Sequence, residues 1–243
     1  MAVAQEPRGQ AMSEPVLKKT LVRDESFAGV RYHIEGELVP VLQVVLSSTP
    51  IFFEHHILLW KSPSTRIGVK AVKGLLKRAI SGMPILLTSA TGPGQIAVSR
   101  DGAGQIVPIH LEPGQAIDVR EHQYLAATDQ VSYSVTRIKG IMNWVFGGNS
   151  IIVDQFRAGA TAGIVWIHGF GNVFEIVLGP GESIDLEPGG WLYKDPDVGM
   201  KTLTQSLSSG LFGSAASFFW NRLTGPGRVG IQSMYIPTLA VEA

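Results

Sequence analysis

A pattern that recurs along the chain constrains its fold more than any single motif does. Residues 174–196 read FEIVLGPGESIDLEPGGWLYKDP, and residues 107–129 read VPIHLEPGQAIDVREHQYLAATD. At a common offset of 67 residues, the matched positions are Pro113-Gly114 with Pro180-Gly181 and Asp118 with Asp185. A fainter copy covers 42–63, where Lys61-Ser62-Pro63 aligns with Lys194-Asp195-Pro196 once one gap is inserted. The recurrence predicts three modules of about 65–70 residues each.

A second element also recurs three times, at 73–100, 139–169 and 208–234. Its Thr-Gly-Pro-Gly turn at 91–94 returns unchanged at 224–227. A module of this size cannot bury an apolar face alone, so we expect the three modules to pack together about a pseudo-threefold axis.

The modules alternate apolar and polar residues with the period of a half-buried strand, as in 174–178 and 95–99. Pro-Gly pairs between these runs mark turns, because proline lacks a donor and glycine adopts a positive φ. The sequence therefore predicts an all-β protein. We expect a flexible leader over 1–26, a single domain over 27–237 and a tail over 238–243. The repeats within the domain are expected at about 27–100, 101–168 and 169–237.

Composition excludes several classes of function. Twenty Lys and Arg balance twenty Asp and Glu, so the net charge is zero, whereas a nucleic-acid-binding domain is typically basic. The chain has no cysteine, which removes disulfides, thiolate nucleophiles and cysteine zinc sites. No stretch approaches the ~20 apolar residues that span a bilayer.

Several short motifs in fixed order resemble the altered-inheritance-of-mitochondria protein 24 (AIM24) family. The residues that carry the resemblance are Gly169-Phe170-Gly171, Leu178-Gly179-Pro180-Gly181-Glu182, Leu211-Phe212-Gly213 and 222–229, RLTGPGRV. The resemblance covers about 27–235 and departs at Ser47-Ser48-Thr49, where the other modules have a Pro-Gly turn. It implies a bent double-stranded β-ribbon similar to tryptophan RNA-binding attenuation proteins, and a role in inner-membrane organisation. The resemblance implies no set of catalytic residues.

The residue patterns predict neither a catalytic site nor a metal or cofactor site. The six histidines (33, 55, 56, 110, 122 and 168) lack the H-x-H spacing that points alternate side chains of a strand at one ion. The G-x-S-x-G nucleophile elbow and the G-x-x-x-x-G-K-S/T phosphate loop are both missing from the sequence. We therefore expect a protein that is not an enzyme and needs no cofactor.

Apolar residues at equivalent places in the three modules form the candidate interaction surface. They are Leu75, Leu76, Ile141, Met142, Trp144, Val145, Phe146, Leu211, Phe212, Phe218, Phe219 and Trp220. Lys70, Lys73, Lys77, Arg78 and Lys139 accompany the first two segments. Aromatic tips with a basic rim suit a peripheral membrane surface, whereas core or subunit contact is the more ordinary role of such residues.

The sequence thus predicts a non-catalytic scaffold or interaction protein that is homo-oligomeric and peripherally associated with a membrane or a membrane-protein complex. We expect it in the cytoplasm, at the inner face of a membrane. The alternative is a small-molecule or carbohydrate-binding protein, or a cupin-like metal-dependent protein, with a deep pocket around His110 or His168. RNA binding, which the related fold suggests, would need a basic groove, so we expect no nucleic-acid partner.

Overall fold

The computed structural model describes residues 13–18, 22–70, 87–143, 148–207 and 216–234. Within these ranges the chain forms strands and one turn of 3-10 helix at His55–Ile57, with no α-helix. The prediction of an all-β protein is confirmed. Alternation is clearest in Val41–Leu46, where every second side chain is buried.

The strands divide into a short N-terminal set and three groups of six. The first set is β1 (Val16–Leu17), β2 (Val22–Phe27) and β3 (Val30–Glu35). Group 1 is β4 (Val41–Leu46), β5 (Ile51–Glu54), β6 (Leu58–Lys61), β7 (Arg66–Val69), β8 (Leu87–Thr91) and β9 (Gly94–Val98). Group 2 is β10 (Gly104–Leu111), β11 (Ala116–Arg120), β12 (Tyr124–Thr128), β13 (Val131–Asn143), β14 (Gly148–Ala158) and β15 (Gly163–Phe170). Group 3 is β16 (Val173–Leu178), β17 (Ser183–Leu186), β18 (Trp191–Lys194), β19 (Gly199–Leu207), β20 (Ala216–Thr224) and β21 (Gly227–Gln232).

The same antiparallel pairing scheme operates inside each group. The first strand pairs with the sixth, and the sixth also pairs with the third. The second strand pairs with the fifth, and the fifth also pairs with the fourth. A β-bulge also recurs in all three groups. The register shifts after the first residue of β6, of β12 and of β18.

Sheets form where the second strand of one group pairs with the third strand of the next. β5 pairs with β12 and builds the six-stranded sheet, while β11 pairs with β18 and builds the seven-stranded sheet. A third sheet of this kind would need β17 beside β6. In the described chain these strands end two separate sheets, of three and five strands. The pseudo-threefold packing therefore stays a prediction.

The core follows the two sheet joins. One buried cluster combines group 1 with residues of group 2, including Trp166, and a second combines group 2 with Leu192 and Tyr193 of group 3. The third cluster belongs to group 3 alone, and its partly buried members include Ile184 and Leu186 of β17. The packing is thus most complete at the two joins, and β17 has no fully buried residue.

Complementary side-chain sizes pack the third strand of each group against the sixth. Trp60 lies opposite Ala97, Trp166 opposite Ala126, and Tyr193 opposite Gly230. A Cβ added at Gly230 would overlap the Tyr193 ring, so this position admits glycine only. At each of these three paired positions, one large ring therefore lies opposite a small residue on the neighbouring strand.

The predicted leader contains strands that join the main sheets. β1 pairs with β16, and β2, which begins inside the leader, pairs with β3. The Ser13 backbone N–H donates to the Glu182 carboxylate at 2.6 Å. That carboxylate also accepts from the Gly179 N–H at 2.8 Å, and these backbone donors lower the pKa of Glu182.

Candidate interaction surface

The fourth and fifth strands of every group form a hairpin, and these three hairpins hold the predicted interaction segments. The hairpins are β7–β8, β13–β14 and β19–β20. The connecting chain is longest in the first, between Val69 and Leu87. β13 and β14 pair from Val131 with Ala158 to Asn143 with Gly148, and β13 lies against β19. Two of the three hairpins are therefore neighbours.

Most of the predicted interaction residues lie near or between the ends of these strands. Leu75, Leu76, Trp144, Val145, Phe146, Leu211 and Phe212 lie outside the described residues. Ile141 and Met142 lie on β13, and Phe218 lies on β20. Phe219 and Trp220 on β20 are half-buried, and the Trp220 indole donates to Gln205 Oε1 at 3.2 Å. Whether these residues form one exposed surface stays a prediction.

The basic rim predicted beside them is engaged in part by the protein itself. Lys70 forms an ion pair with Asp129, and its ammonium lies 4.0 Å from the centre of the Phe52 ring. Phe52 is fully buried, so the lysine closes one end of the core. Lys70 thus has a structural role that the charge pattern alone did not indicate.

The histidines are spread over the molecule, as their spacing in the sequence suggests. His33 lies 3.0 Å from Glu35, and His55 lies 3.1 Å from the Thr88 hydroxyl. Among the described residues, no three side chains of the metal-ligating types come together. His33 and His56 instead lie beside carboxylates near them in the chain, those of Glu35 and Glu54.

His110 belongs to a polar cluster that the sequence did not reveal. Its Nε2 lies 2.9 Å from a Glu25 carboxylate oxygen and 3.3 Å from the Tyr32 hydroxyl, and the Phe27 ring packs over it at 4.3 Å. Burial raises the pKa of Tyr32 above its usual range, and Glu25 adds to this. Because Glu25 and Tyr32 lie on β2 and β3, the cluster ties that hairpin to β10.

His168 is fully buried on β15, and neither ring nitrogen has a hydrogen-bond partner among the described residues. Burial lowers its pKa to about 4, and the nearby positive charge of Arg100 acts in the same direction. The equivalent positions in groups 1 and 3 are Ser99 and Gln232. All three donate a backbone N–H to the chain just before the third strand of their group.

The deep pocket that would favour a small-molecule or cupin-like protein was expected around His110 or His168. A cleft of about 350 Å³ lies on the five-stranded sheet and is lined by polar residues such as Asp24, Arg31 and Gln43. Neither histidine lines it. Because the cleft does not include either histidine, it gives that alternative no support.

Buried ion pairs occupy two places where groups meet. Lys194 on β18 donates to Asp118 on β11 at 2.8 Å, and both side chains are nearly inaccessible. Arg100 pairs with buried Glu54 and donates to the Tyr124 carbonyl at 3.0 Å. Since an unpaired buried charge is costly, the Lys194–Asp118 pair fixes group 3 against group 2, and the paired Arg100 ties group 1 to group 2 through the Tyr124 carbonyl.

The fold and the recurring turns can now be compared with known proteins. The family model described as "Mitochondrial biogenesis AIM24" matches residues 32–234, from β3 to just beyond β21. This chain belongs to the AIM24 family. The match confirms the resemblance recognised in the glycine-rich motifs. Within it, Gly114 and Gly181 take positive φ values of 80° and 78° at the turns that the Pro-Gly pairs predicted.

A search of curated proteins found no match. Among solved structures, the AIM24 chain is similar to the X-ray crystal structure of a Streptococcus pyogenes protein, with a TM-score of 0.63 and 17% identity. The similarity covers 85% of this chain and 94% of that chain. At this identity it shows a shared fold. In the described part of the AIM24 chain, no helix is long and apolar enough to cross a membrane.

Proposed function

We propose that this AIM24 protein is a non-catalytic, self-associating scaffold that binds a membrane surface through the ends of its three hairpins. It would act in the cytoplasm, at the inner face of a membrane. The observation that carries the proposal is the equivalent position of β7–β8, β13–β14 and β19–β20 in their groups. Each hairpin brackets one of the apolar segments predicted from the sequence.

Physical chemistry supports the placement of those segments. Aromatic and aliphatic side chains at a hairpin end can enter the interfacial region of a bilayer, while lysines nearby meet anionic headgroups. The contact between β13 and β19 brings two such hairpins together, so their apolar segments can act jointly. Several weak insertions acting together hold a protein on a membrane far better than one does.

A structural use of the polar side chains supports the non-catalytic part of the proposal. The Asp118–Lys194 pair joins groups 2 and 3, Arg100, which pairs with Glu54, donates to the Tyr124 carbonyl of group 2, and Glu25–His110 joins the N-terminal hairpin to β10. Each of these charged groups therefore already has a role in holding strands together. A scaffold needs such joints between its parts.

Liposome flotation tests the membrane part of the proposal. The protein is mixed with vesicles of phosphatidylcholine containing phosphatidylserine, or of phosphatidylcholine alone, and then centrifuged through a gradient. We expect it to float with the anionic vesicles, and we expect W144S/F146S to stay in the soluble fraction. A matched control is L38S/V39S, which removes two exposed apolar side chains from the turn between β3 and β4. This control should float like the wild type.

Light scattering after size-exclusion chromatography tests self-association. We expect a defined oligomer whose mass is the same for the wild type and W144S/F146S. If the wild type does not float with either vesicle, direct lipid binding is wrong. If it is a monomer at all concentrations, the self-associating scaffold is wrong.

A further inference from the structure

Among the described strands, two lack the neighbour that their counterparts have. In groups 1 and 2 the second strand, β5 or β11, pairs with the third strand of the following group. The second strand of group 3 is β17, and the third strand of group 1 is β6. Among the described strands, β17 pairs only with β20 and β6 only with β9. Each therefore has one edge without a described neighbour. One edge belongs to a second strand and the other to a third strand, and these are the two kinds of strand that pair with each other at the existing joins.

The register of the two existing joins is the same. Phe52 lies opposite Ala127 in the first join, and Asp118 lies opposite Lys194 in the second. These are equivalent positions, since Phe52 and Asp118 are placed alike on the second strand and Ala127 and Lys194 alike on the third. The residues equivalent to them in β17 and β6 are Asp185 and Lys61. A third join in this register would set Asp185 opposite Lys61 and Leu186 opposite Trp60.

Burial distinguishes the open strands from the joined ones. Tyr193 and Ala126, which correspond to Trp60, are completely buried, whereas Trp60 is 42% exposed and its neighbour Leu59 is 56% exposed. On the other edge, Leu186 is only half-buried, while its counterpart Val119 is fully buried. An open edge with exposed apolar side chains is the usual template for pairing with another strand.

The charges at the open edges match those of the buried pair. Lys194 donates to the carbonyls of Asp195 and Pro196 and also to the Asp118 carboxylate. Lys61 makes the corresponding contact with the Ser62 carbonyl at 3.3 Å, and a second one with the Thr65 carbonyl at 3.1 Å. It has no carboxylate partner among the described residues.

Asp185 supplies the missing carboxylate. It is partly exposed on β17 and is held by Arg222 through two hydrogen bonds of 2.7 Å. Its counterpart Asp118 accepts one hydrogen bond from the Gln155 amide through Oδ1, at 2.8 Å, and accepts from Lys194 through Oδ2. An aspartate that already accepts a hydrogen bond from a residue of its own sheet can therefore still accept one from a lysine on the neighbouring strand.

We propose that β6 of one copy of this chain pairs with β17 of a second copy, with Lys61 opposite Asp185. A second copy is the occupant because β6 and β17 of one chain do not pair with each other among the described strands, whereas the second strands of groups 1 and 2 do pair with the third strand of the next group. The two edges are different surfaces, so the contact is head-to-tail. It generates a closed ring if the rotation between copies closes, and a filament if it does not. The inference deepens the self-association proposed above and rests on it.

Disulfide trapping tests the pairing, because the chain has no cysteine of its own. Two single variants, K61C and D185C, are purified separately, mixed, and oxidised. Residues directly opposite in an antiparallel pair lie at a distance that a disulfide can bridge. We expect a disulfide-linked dimer in the mixture that contains one chain of each variant. The matched control mixes K61C with D101C, which places a cysteine at an exposed acidic position in another loop, and should give no such dimer above background.

The double variant K61C/D185C separates the two ways of closing the third sheet. Linked dimers and larger species support pairing between copies. A disulfide within a monomer, found by peptide mapping, would overturn the proposal, because the join would then close inside one chain. If wild-type protein is an oligomer but the mixture gives no 61–185 disulfide, this pairing is wrong and self-association stands. A wild-type monomer would overturn both.

Exchanging the charges provides a second readout that needs no oxidation. K61D and D185K should each weaken self-association at least tenfold in sedimentation equilibrium, because like charges would face each other. K61D/D185K restores opposite charges and should recover most of the loss. A loss in the double variant equal to the sum of the two single losses would contradict the pairing, since the effects of changes at independent positions add.

Discussion

Lys194 of β18 donates to Asp118 of β11 at 2.8 Å, and both side chains are almost wholly buried where groups 2 and 3 meet. The equivalent positions where groups 1 and 2 meet hold Phe52 and Ala127, both fully buried. One strand register is therefore stabilised by an ion pair in one place and by apolar packing in the other.

Breaking this ion pair should destabilise the protein more than replacing it. D118A leaves a buried ammonium without its carboxylate, and we expect the free energy of unfolding to fall by about 3–5 kcal/mol. The double variant D118F/K194A installs the residues of the other join and should lose less than D118A. Urea denaturation followed by tryptophan fluorescence measures both. If the loss of D118F/K194A equals the sum of the losses of D118F and K194A measured separately, the two positions are not coupled.

A second prediction concerns the contact between Tyr193 and Gly230. A methyl group at Gly230 would enter the space of the Tyr193 ring, which is fully buried and cannot move aside freely. We expect G230A to lower the free energy of unfolding by about 1–3 kcal/mol, the usual cost of overpacking. The control is G159A, because a Cβ at Gly159 would meet only the Gln130 carbonyl at an ordinary 3.5 Å. Equal losses in both variants would contradict this account.

Local structure in this chain was largely readable from the sequence. The alternation in 174–178 and 95–99 falls on β16 and β9, which are strands. The Pro-Gly pairs fall between β10 and β11 and between β16 and β17, as turns. These features depend on residues close together in the chain, so a single sequence contains the information that determines them.

Contacts between distant strands were not readable in this way. The alignment of Asp118 with Asp185 and of Lys61 with Lys194 was visible, but nothing in the sequence showed that Asp118 meets Lys194. That pair is 76 residues apart and depends on which strands become neighbours. The Glu25–His110 contact was missed for the same reason. β1 escaped notice because two residues are too short to show a period.

A third prediction concerns Tyr32, whose hydroxyl is the buried part of the Glu25–His110 cluster. Y32F removes the hydroxyl and keeps the ring against Trp166, where the two rings meet edge to face. We expect a loss of about 1.5–3 kcal/mol in the free energy of unfolding, as for a hydrogen bond to a charged group. R31A changes an exposed position on the same strand and should be nearly neutral. A neutral Y32F would mean that the cluster does not hold the hairpin.

Buried His168 makes stability depend on pH. Its pKa is about 4 in the folded protein, against 6.5 for an ordinary histidine. Between these values the unfolded chain binds the proton and the folded chain does not, so the free energy of unfolding decreases as the pH falls from 6.5 to 4. Over this whole range, the titration of His168 lowers the free energy of unfolding by about 3 kcal/mol. Above pH 6.5 the effect disappears, and below pH 4 it levels off.

The substitution H168Q isolates this contribution, since glutamine is the residue at the equivalent position 232 and has no proton to gain in this range. Urea denaturation of both proteins at pH 7, 5.5 and 4 separates the histidine from the carboxylates, which titrate in both. Wild type should lose about 3 kcal/mol more than H168Q between pH 7 and pH 4. Parallel losses in the two proteins would show that His168 reaches solvent and is protonated in the folded state. The buried, unpartnered ring would then not describe the protein in solution.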